Sequence, residues 1–190
     1  MDPPTVMPIE TEKKYRLDAE SREELKSELE SSGAEFVARE FEENTIYSND
    51  RLRSTGSIVR IRKTDRRSIL TFKRRVENQF DVKQQIEYET EISDSGAAAA
   101  IINELGLKPV LVYEKYRDTW SFRSVELVID ELPFGDYMEI EGSITAIKEA
   151  EMLLGIEDLE TEHETYPRLT ARLGEQNGEL IEARFGRAYE

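Results

Sequence analysis

Charged residues recur two positions from their own kind in six strand-like segments of this chain. The acidic pairs are Glu10 and Glu12, Glu87 and Glu89, and Glu139 and Glu141; the basic pairs are Arg60 and Arg62, Lys73 and Arg75, and Lys115 and Arg117. Side chains at i and i+2 of a β-strand share a face. Each segment therefore lays a stripe of like charge on one side and apolar residues on the other. Two like charges at this spacing sit about 7 Å apart and repel by roughly 2 to 3 kcal/mol at an effective dielectric near 20. Groups of opposite charge must compensate them: facing strands, metal ions or an anionic ligand. Taken singly, each stripe is most simply the solvated face of an amphipathic sheet. Six together point to a charged interior.

The elements that would carry these stripes alternate along the chain. Residues 9–17 read as a strand. A helix follows, capped by Ser21 and closed near Gly33, where a C′ glycine is expected. Segments 36–47, 57–63, 68–75 and 84–92 read as strands of antiparallel hairpins, with turns at Asn49-Asp50, Thr55-Gly56, Thr64-Asp65 and Asn78. Asp94 or Ser95 caps a second helix that stops at Gly106, and strands are expected at 110–117, 121–130 and 136–141. Ser143 starts a third helix ending at Gly155, and residues 165–173 form a short fourth. This pattern predicts an α+β fold: an antiparallel, closed or nearly closed β-barrel with a charged interior and helices packed outside. The domain spans residues 9–173, between an N-terminal tail (1–8) and a C-terminal extension (174–190) that is either a hairpin or disordered.

Bulk composition narrows the function classes. The chain has 190 residues, no cysteine and a formal net charge of −15. Thiolate metal sites and disulfides are excluded. No apolar run reaches the ~20 residues of a membrane span, and the start lacks signal-peptide character, so a soluble cytoplasmic protein without membrane partners is expected. The net charge disfavours nucleic acid as a partner. Yet ten of the 26 Lys and Arg fall between Arg51 and Arg75, a local basicity suited to a small polyanion. An exposed outer face leaves room for a homodimer. His163, the single histidine, is expected at the surface, and Trp120 and Phe122 in the packing.

In order along the chain stand Glu10-Thr11-Glu12-Lys13-Lys14, Asn44-Thr45-Ile46-Tyr47, Val59-Arg60-Ile61-Arg62, Thr71-Phe72-Lys73, Glu87-Tyr88-Glu89, Lys115-Tyr116-Arg117, and a run from Asp130 to Glu139-Ile140-Glu141-Gly142. This series resembles the CYTH group, the triphosphate tunnel metalloenzymes that include class IV adenylyl cyclases and thiamine triphosphatases. The resemblance covers nearly the whole domain. It implies that Glu10, Glu12, Asp130, Glu139 and Glu141 hold Mg²⁺ or Mn²⁺, that Arg60, Arg62, Lys73, Arg75, Lys115 and Arg117 bind phosphate, and that Lys14 is catalytic. Glu87 and Glu89 would also line the tunnel. Arg66, Arg67 and Arg74 should face solvent. Three residues depart from the family pattern: Gln85 where Arg is usual, Ile46 where thiamine triphosphatases place a Tyr beside the first-strand Lys, and Asn44 where Asp is common. The implied substrate is a triphosphate, hydrolysed as inorganic or nucleoside triphosphate. The alternatives are cyclisation of ATP to cyclic AMP and pyrophosphate, and polyphosphate binding without turnover. Neutralising Glu139 and Glu141 together should leave the metal-free protein no less stable, because it removes a like-charge pair.

Overall fold

Residues 9–76 and 82–186 are described in a computed structural model of the chain. The tail 1–8 and the turn at Asn78 lie outside the described residues. The strands are β1 (Ile9–Leu17), β2 (Glu35–Ser48), β3 (Ser57–Lys63), β4 (Ser68–Val76), β5 (Lys83–Ile92), β6 (Lys108–Phe122), β7 (Val125–Leu132), β8 (Gly135–Glu141), β9 (Glu175–Asn177) and β10 (Leu180–Ala183). The helices are α1 (Ala19–Ser31), α2 (Asp50–Ser54), α3 (Ser95–Glu104), α4 (Ile144–Leu154) and α5 (Tyr166–Leu173).

Strand order is β2-β3-β4-β5-β1-β8-β7-β6, and β6 pairs back with β2. Eight antiparallel strands thus close into a ring, the α+β barrel expected from the stripes. Closure leaves the ring without a free edge. The C-terminal extension forms a hairpin over β9 and β10, with β10 parallel to β6 at Leu111–Tyr113, and its residues 187–190 lie outside the described ones.

Alternation sorts the two faces of each strand. On β1, Tyr15 and Leu17 point outward into a cluster with Leu25 and Leu29 of α1 and Ile147 and Leu154 of α4. The same cluster takes Leu127 and Ile129 of β7 and Met138 and Ile140 of β8, with Trp120 and Phe122 in the packing as expected. Burying a side chain such as Leu29 or Ile147 stabilises by roughly 1.5 to 3 kcal/mol, so these helices hold the outer face of the β1–β8–β7 wall. Ile102 of α3 similarly covers Tyr47 and Ile61. These two apolar clusters lie outside the ring, while a third, with Ile46, Leu111 and Tyr113, packs against α5 and borders the interior.

Three local expectations are corrected. Asp18, not Ser21, caps α1, accepting from the Ser21 N–H at 2.8 Å. The Asn49-Asp50 turn is a short helix, with the Asn49 side chain accepting from the Leu52 N–H. Strand β6 does not stop at 117 but continues to Phe122, and the reversal falls at Arg123, which takes φ 54°. Asp118 and Thr119 read as a break in isolation. In the barrel they are paired on both sides, to β2 and to β7, and Asp118 is engaged by Arg39 at 2.8 Å and Lys26 at 2.9 Å.

Candidate active site

The ring encloses a cavity of about 510 Å³. Glu10, Glu12 and Lys14 reach it from β1; Arg60 and Arg62 from β3; Lys73 and Arg75 from β4; Glu87 and Glu89 from β5; Lys115 and Arg117 from β6; and Glu139 and Glu141 from β8. Arg66, Arg67 and Arg74 are absent from its walls. Ten Lys and Arg line it against seven carboxylates, in a chain whose net charge is −15. The interior is cationic.

Asp130 is placed differently from the other acids. It is fully buried behind the wall. Lys115 Nζ donates to it at 3.1 Å, Arg117 Nε at 2.7 Å and the Tyr166 hydroxyl at 2.7 Å. Arg117 Nη2 also reaches Glu139 at 2.9 Å. Asp130 thereby fixes the direction in which Lys115 and Arg117 enter the cavity.

Lys14 is buried. Its Nζ lies 3.1 Å from Glu139, donates to the Glu164 carbonyl at 3.2 Å, and sits 3.5 Å from the centre of the Tyr166 ring. Burial is the largest influence on this amine and lowers its pKa, with Glu139 opposing. Burial would raise the Glu139 carboxyl, but Lys14, then Arg117, hold it well below the usual range. Ile46 leaves the first-strand lysine without a second-strand tyrosine. The α5 helix supplies one.

Glu10 and Glu87 sit together. Burial, then the hydrogen bond and charge of Glu87, push the Glu10 carboxyl up to about 8, with Lys73 offsetting in part. Lys73 also contacts Glu87. Glu10 in the folded protein therefore keeps its proton to a higher pH than in the unfolded chain. Its stabilising contribution is complete below about 4.5 and is lost as pH rises towards about 8. In metal-free buffer, urea midpoints of the wild type should fall across that window more steeply than those of Glu10→Gln. Parallel curves would refute the assignment.

Glu139 and Glu141, alike in sequence, differ in surroundings. Glu139 is ion-paired. Glu141 makes no salt bridge among the described residues, stands across from Glu12 on β1 and from Glu126 on β7, and is raised by burial and then by those two acids, with Lys73 opposing in part. Facing like charges of this kind destabilise a sheet. The joint neutralisation expected to be harmless must therefore be split. Glu141→Gln should leave the apo protein as stable or more so, while Glu139→Gln removes the carboxylate paired with Lys14, leaves Arg117 with Asp130 alone, and should lower the thermal midpoint.

Several site residues escaped the sequence pattern. Lys83 contacts Glu12, and Gln85 donates to Glu12 at 3.3 Å, so the cation missing at Gln85 is supplied two residues earlier on the same face. The signal was parity with Glu87. Glu42 is 2% exposed, 3.4 Å from both Lys115 Nζ and Arg62 Nε. It precedes Asn44 by two, but within the acidic run Glu40 to Glu43 nothing marks it as the inward one. Tyr113 lies in a strand whose charged residues drew the reading, and the segment Thr165 to Leu169, though similar to one near the end of cyclase-like members, gave Tyr166 no role.

The guanidinium Nε atoms of both Arg60 and Arg62 are buried without a hydrogen-bond partner. Among the described residues, no group of three or more His, Asp or Glu converges closely enough to hold a metal on protein ligands alone. None of the described helices is long and apolar enough to cross a membrane.

The CYTH domain family model matches residues 8–169, so the chain belongs to the CYTH family. Among solved structures it is similar to the PH1012 protein of Pyrococcus horikoshii OT3, at 24% identity and a TM-score of 0.73, covering 84% of this chain and 98% of that one. A conserved hypothetical protein of Pyrococcus furiosus is 25% identical, with a TM-score of 0.72 over 84% of this chain and 99% of its own. HpAC1 of Hippeastrum, a candidate adenylyl cyclase described as having a dominant triphosphatase activity, is 20% identical with a TM-score of 0.62, covering 86% and 95%. No curated protein matches the sequence.

Proposed function

We propose that this protein is a metal-dependent triphosphatase acting on inorganic or nucleoside triphosphate inside the barrel. The observation that carries this reading is the pair of buried Nε groups on Arg60 and Arg62 that make no hydrogen bond, Arg62 Nε having only an ion pair with Glu42 at 3.4 Å, in a cavity with more cations than carboxylates. A buried polar group without a partner costs roughly 1 to 3 kcal/mol, and more when charged. A phosphate chain removes that cost. Arg60, Arg62 and Arg117 offer forked donors for non-bridging oxygens, and Lys73, Lys115 and Arg75 add charge.

Mg²⁺ or Mn²⁺ fits the donor set on chemical grounds. Glu10, Glu12, Glu139 and Glu141 present hard oxygens from adjacent strands, and Glu141 needs a counter-cation. Their failure to converge suits an ion that is held by few carboxylates and completes its shell with water and substrate phosphate. Such an ion supplies charge neutralisation at phosphate oxygens and a more acidic bound water. Asp130, the fifth carboxylate of the expected set, orients Lys115 and Arg117 in the geometry described, and serves as a ligand only if those contacts pass to phosphate. Lys14, with its pKa lowered by burial, orients or deprotonates the attacking water from its seat between Glu139 and Tyr166.

Hydrolysis is favoured over cyclisation because the aromatic rings of the lining are already occupied. Tyr166 carries Lys14 on its face and gives its hydroxyl to Asp130. Tyr113 is 2% exposed and is engaged by Arg60. Neither offers a face to adenine. Incubating the protein with Mg²⁺ and either inorganic triphosphate or ATP, and separating the products, tests this. Orthophosphate is expected from the terminal position. Cyclic AMP from ATP would replace the hydrolase by a cyclase, and tight binding without turnover by a polyphosphate-binding module. The expectations of no nucleic-acid or membrane partner and of a possible homodimer remain part of this proposal.

A further inference from the structure

We infer that the C-terminal hairpin β9–β10, anchored by Arg184, is a clasp that positions α5 as one wall of the cavity and so sets how tightly the anion is held. The inference rests on the triphosphate reading above. It concerns residues outside the region matched by the family model, which ends at 169 within α5.

Helix α5 brings Tyr166, Pro167 and Arg168 to the cavity wall. Tyr166 supports Lys14 from below and Asp130 from behind. Only eight residues long, α5 is too short to be stable by itself, so its position must come from what packs on it. Its buried face, Leu169 and Tyr166, clusters with Leu111 and Tyr113 of β6 and with Ala183 of β10. At its end Gly174 donates to the Thr170 carbonyl at 2.8 Å. A Cβ at Gly174 would come within 2.7 Å of that carbonyl and 2.8 Å of the Glu182 carbonyl of β10. Helix and hairpin are in backbone contact.

Arg184 ties this unit to the barrel. Its Nη1 donates to Glu43 of β2 and to Glu114 of β6, each at 2.7 Å, and its Nε donates to Glu182 at 3.1 Å. The Phe185 N–H adds a bond to Glu114 at 2.9 Å. Glu43 and Glu114 face each other across the β2–β6 pairing, a like-charge pair that is unfavourable without a shared cation. Their strand neighbours Glu42 and Lys115 point the other way, into the site, 3.4 Å apart. Arg184 therefore closes the outside of the seam whose inside binds phosphate.

The test uses the full-length chain and measures two quantities: the thermal unfolding midpoint, and the calorimetric Kd for inorganic triphosphate with Mg²⁺. Arg184→Ala should lower the midpoint and weaken binding by about tenfold, the equivalent of about 1.4 kcal/mol. The triple variant Arg184→Ala, Glu43→Gln, Glu114→Gln removes the repulsion but not the loss of the anchor. Its midpoint should return towards wild type while its Kd stays raised. Gly174→Ala, which wedges the helix from the hairpin, should raise Kd similarly with all charges intact. Wild-type affinity in the triple variant and in Gly174→Ala would overturn the clasp, leaving Arg184 a purely structural counter-charge. Failure of the wild type to bind triphosphate would overturn the functional reading first, and the clasp with it.

Discussion

Excess chelator is expected to lower triphosphate turnover by at least about a thousandfold, since loss of metal removes several kcal/mol of charge stabilisation in the transition state. The reason lies in how the cavity charges are distributed. Its cations are partly committed: Lys83 to Glu12, Lys73 to Glu87, Lys14 and Arg117 to Glu139. Around Glu10, Glu12 and Glu141 carboxylates stand close together, Glu12 facing Glu141 across the β1–β8 pairing, and burial, then neighbouring acids, raise Glu10 and Glu141. A substrate carrying about four negative charges cannot approach that wall without a cation between them. Phosphate release measured after chelation, and again after Mg²⁺ or Mn²⁺ is restored, checks this. Undiminished turnover in chelator would remove metal from the account.

The second large effect is on stability. Glu42→Gln should cost about 3 to 5 kcal/mol, the range for breaking a buried ion pair from one side. Burial would raise this carboxyl, yet Lys115, then Arg62, Arg117 and Arg60, hold it far below the ordinary range. Removing it leaves Lys115 with Asp130 alone and Arg62 with no other carboxylate within ion-pair distance among the described residues. Urea unfolding of the metal-free protein at neutral pH measures the cost. Because the stranded cations line the cavity, added triphosphate should stabilise the variant more than it stabilises the wild type. A variant as stable as wild type would show that Glu42 does not hold the cationic wall together.

The barrel and most of its lining were legible in the sequence because a period-two stripe states both strand and face. Arg60 and Arg62, or Glu139 and Glu141, could belong only to one side of their strands, and the structure puts them there. Arg74 and Arg75 show the same rule at one step of spacing: Arg75 borders the cavity and Arg74 does not. What stayed hidden depends on pairing between distant segments. Glu42 is distinguished from Glu40 and Glu43 only by its register against Lys115 and Arg62. Lys83 became a site residue because β5 lies opposite Glu12 of β1. Tyr166 gained its place when a C-terminal helix crossed to the first strand, over a separation no local pattern encodes. Strand β6 ran past Asp118 because partners on both sides outweighed local turn chemistry. The difference between Glu139 and Glu141 likewise comes from neighbours, since the two have the same residue type and face.

In the proposed function the inward cations bind a triphosphate. The most direct measurement is the calorimetric affinity for inorganic triphosphate with Mg²⁺ in the wild type, Arg62→Ala and Arg74→Ala. Arg62 loses a charge-assisted contact worth about 1.5 to 3 kcal/mol, so its affinity should fall roughly ten- to a hundredfold. Arg74, facing solvent where charge is screened, should change affinity by less than about threefold. Equal losses at Arg62 and Arg74, or no loss at either, would contradict the account.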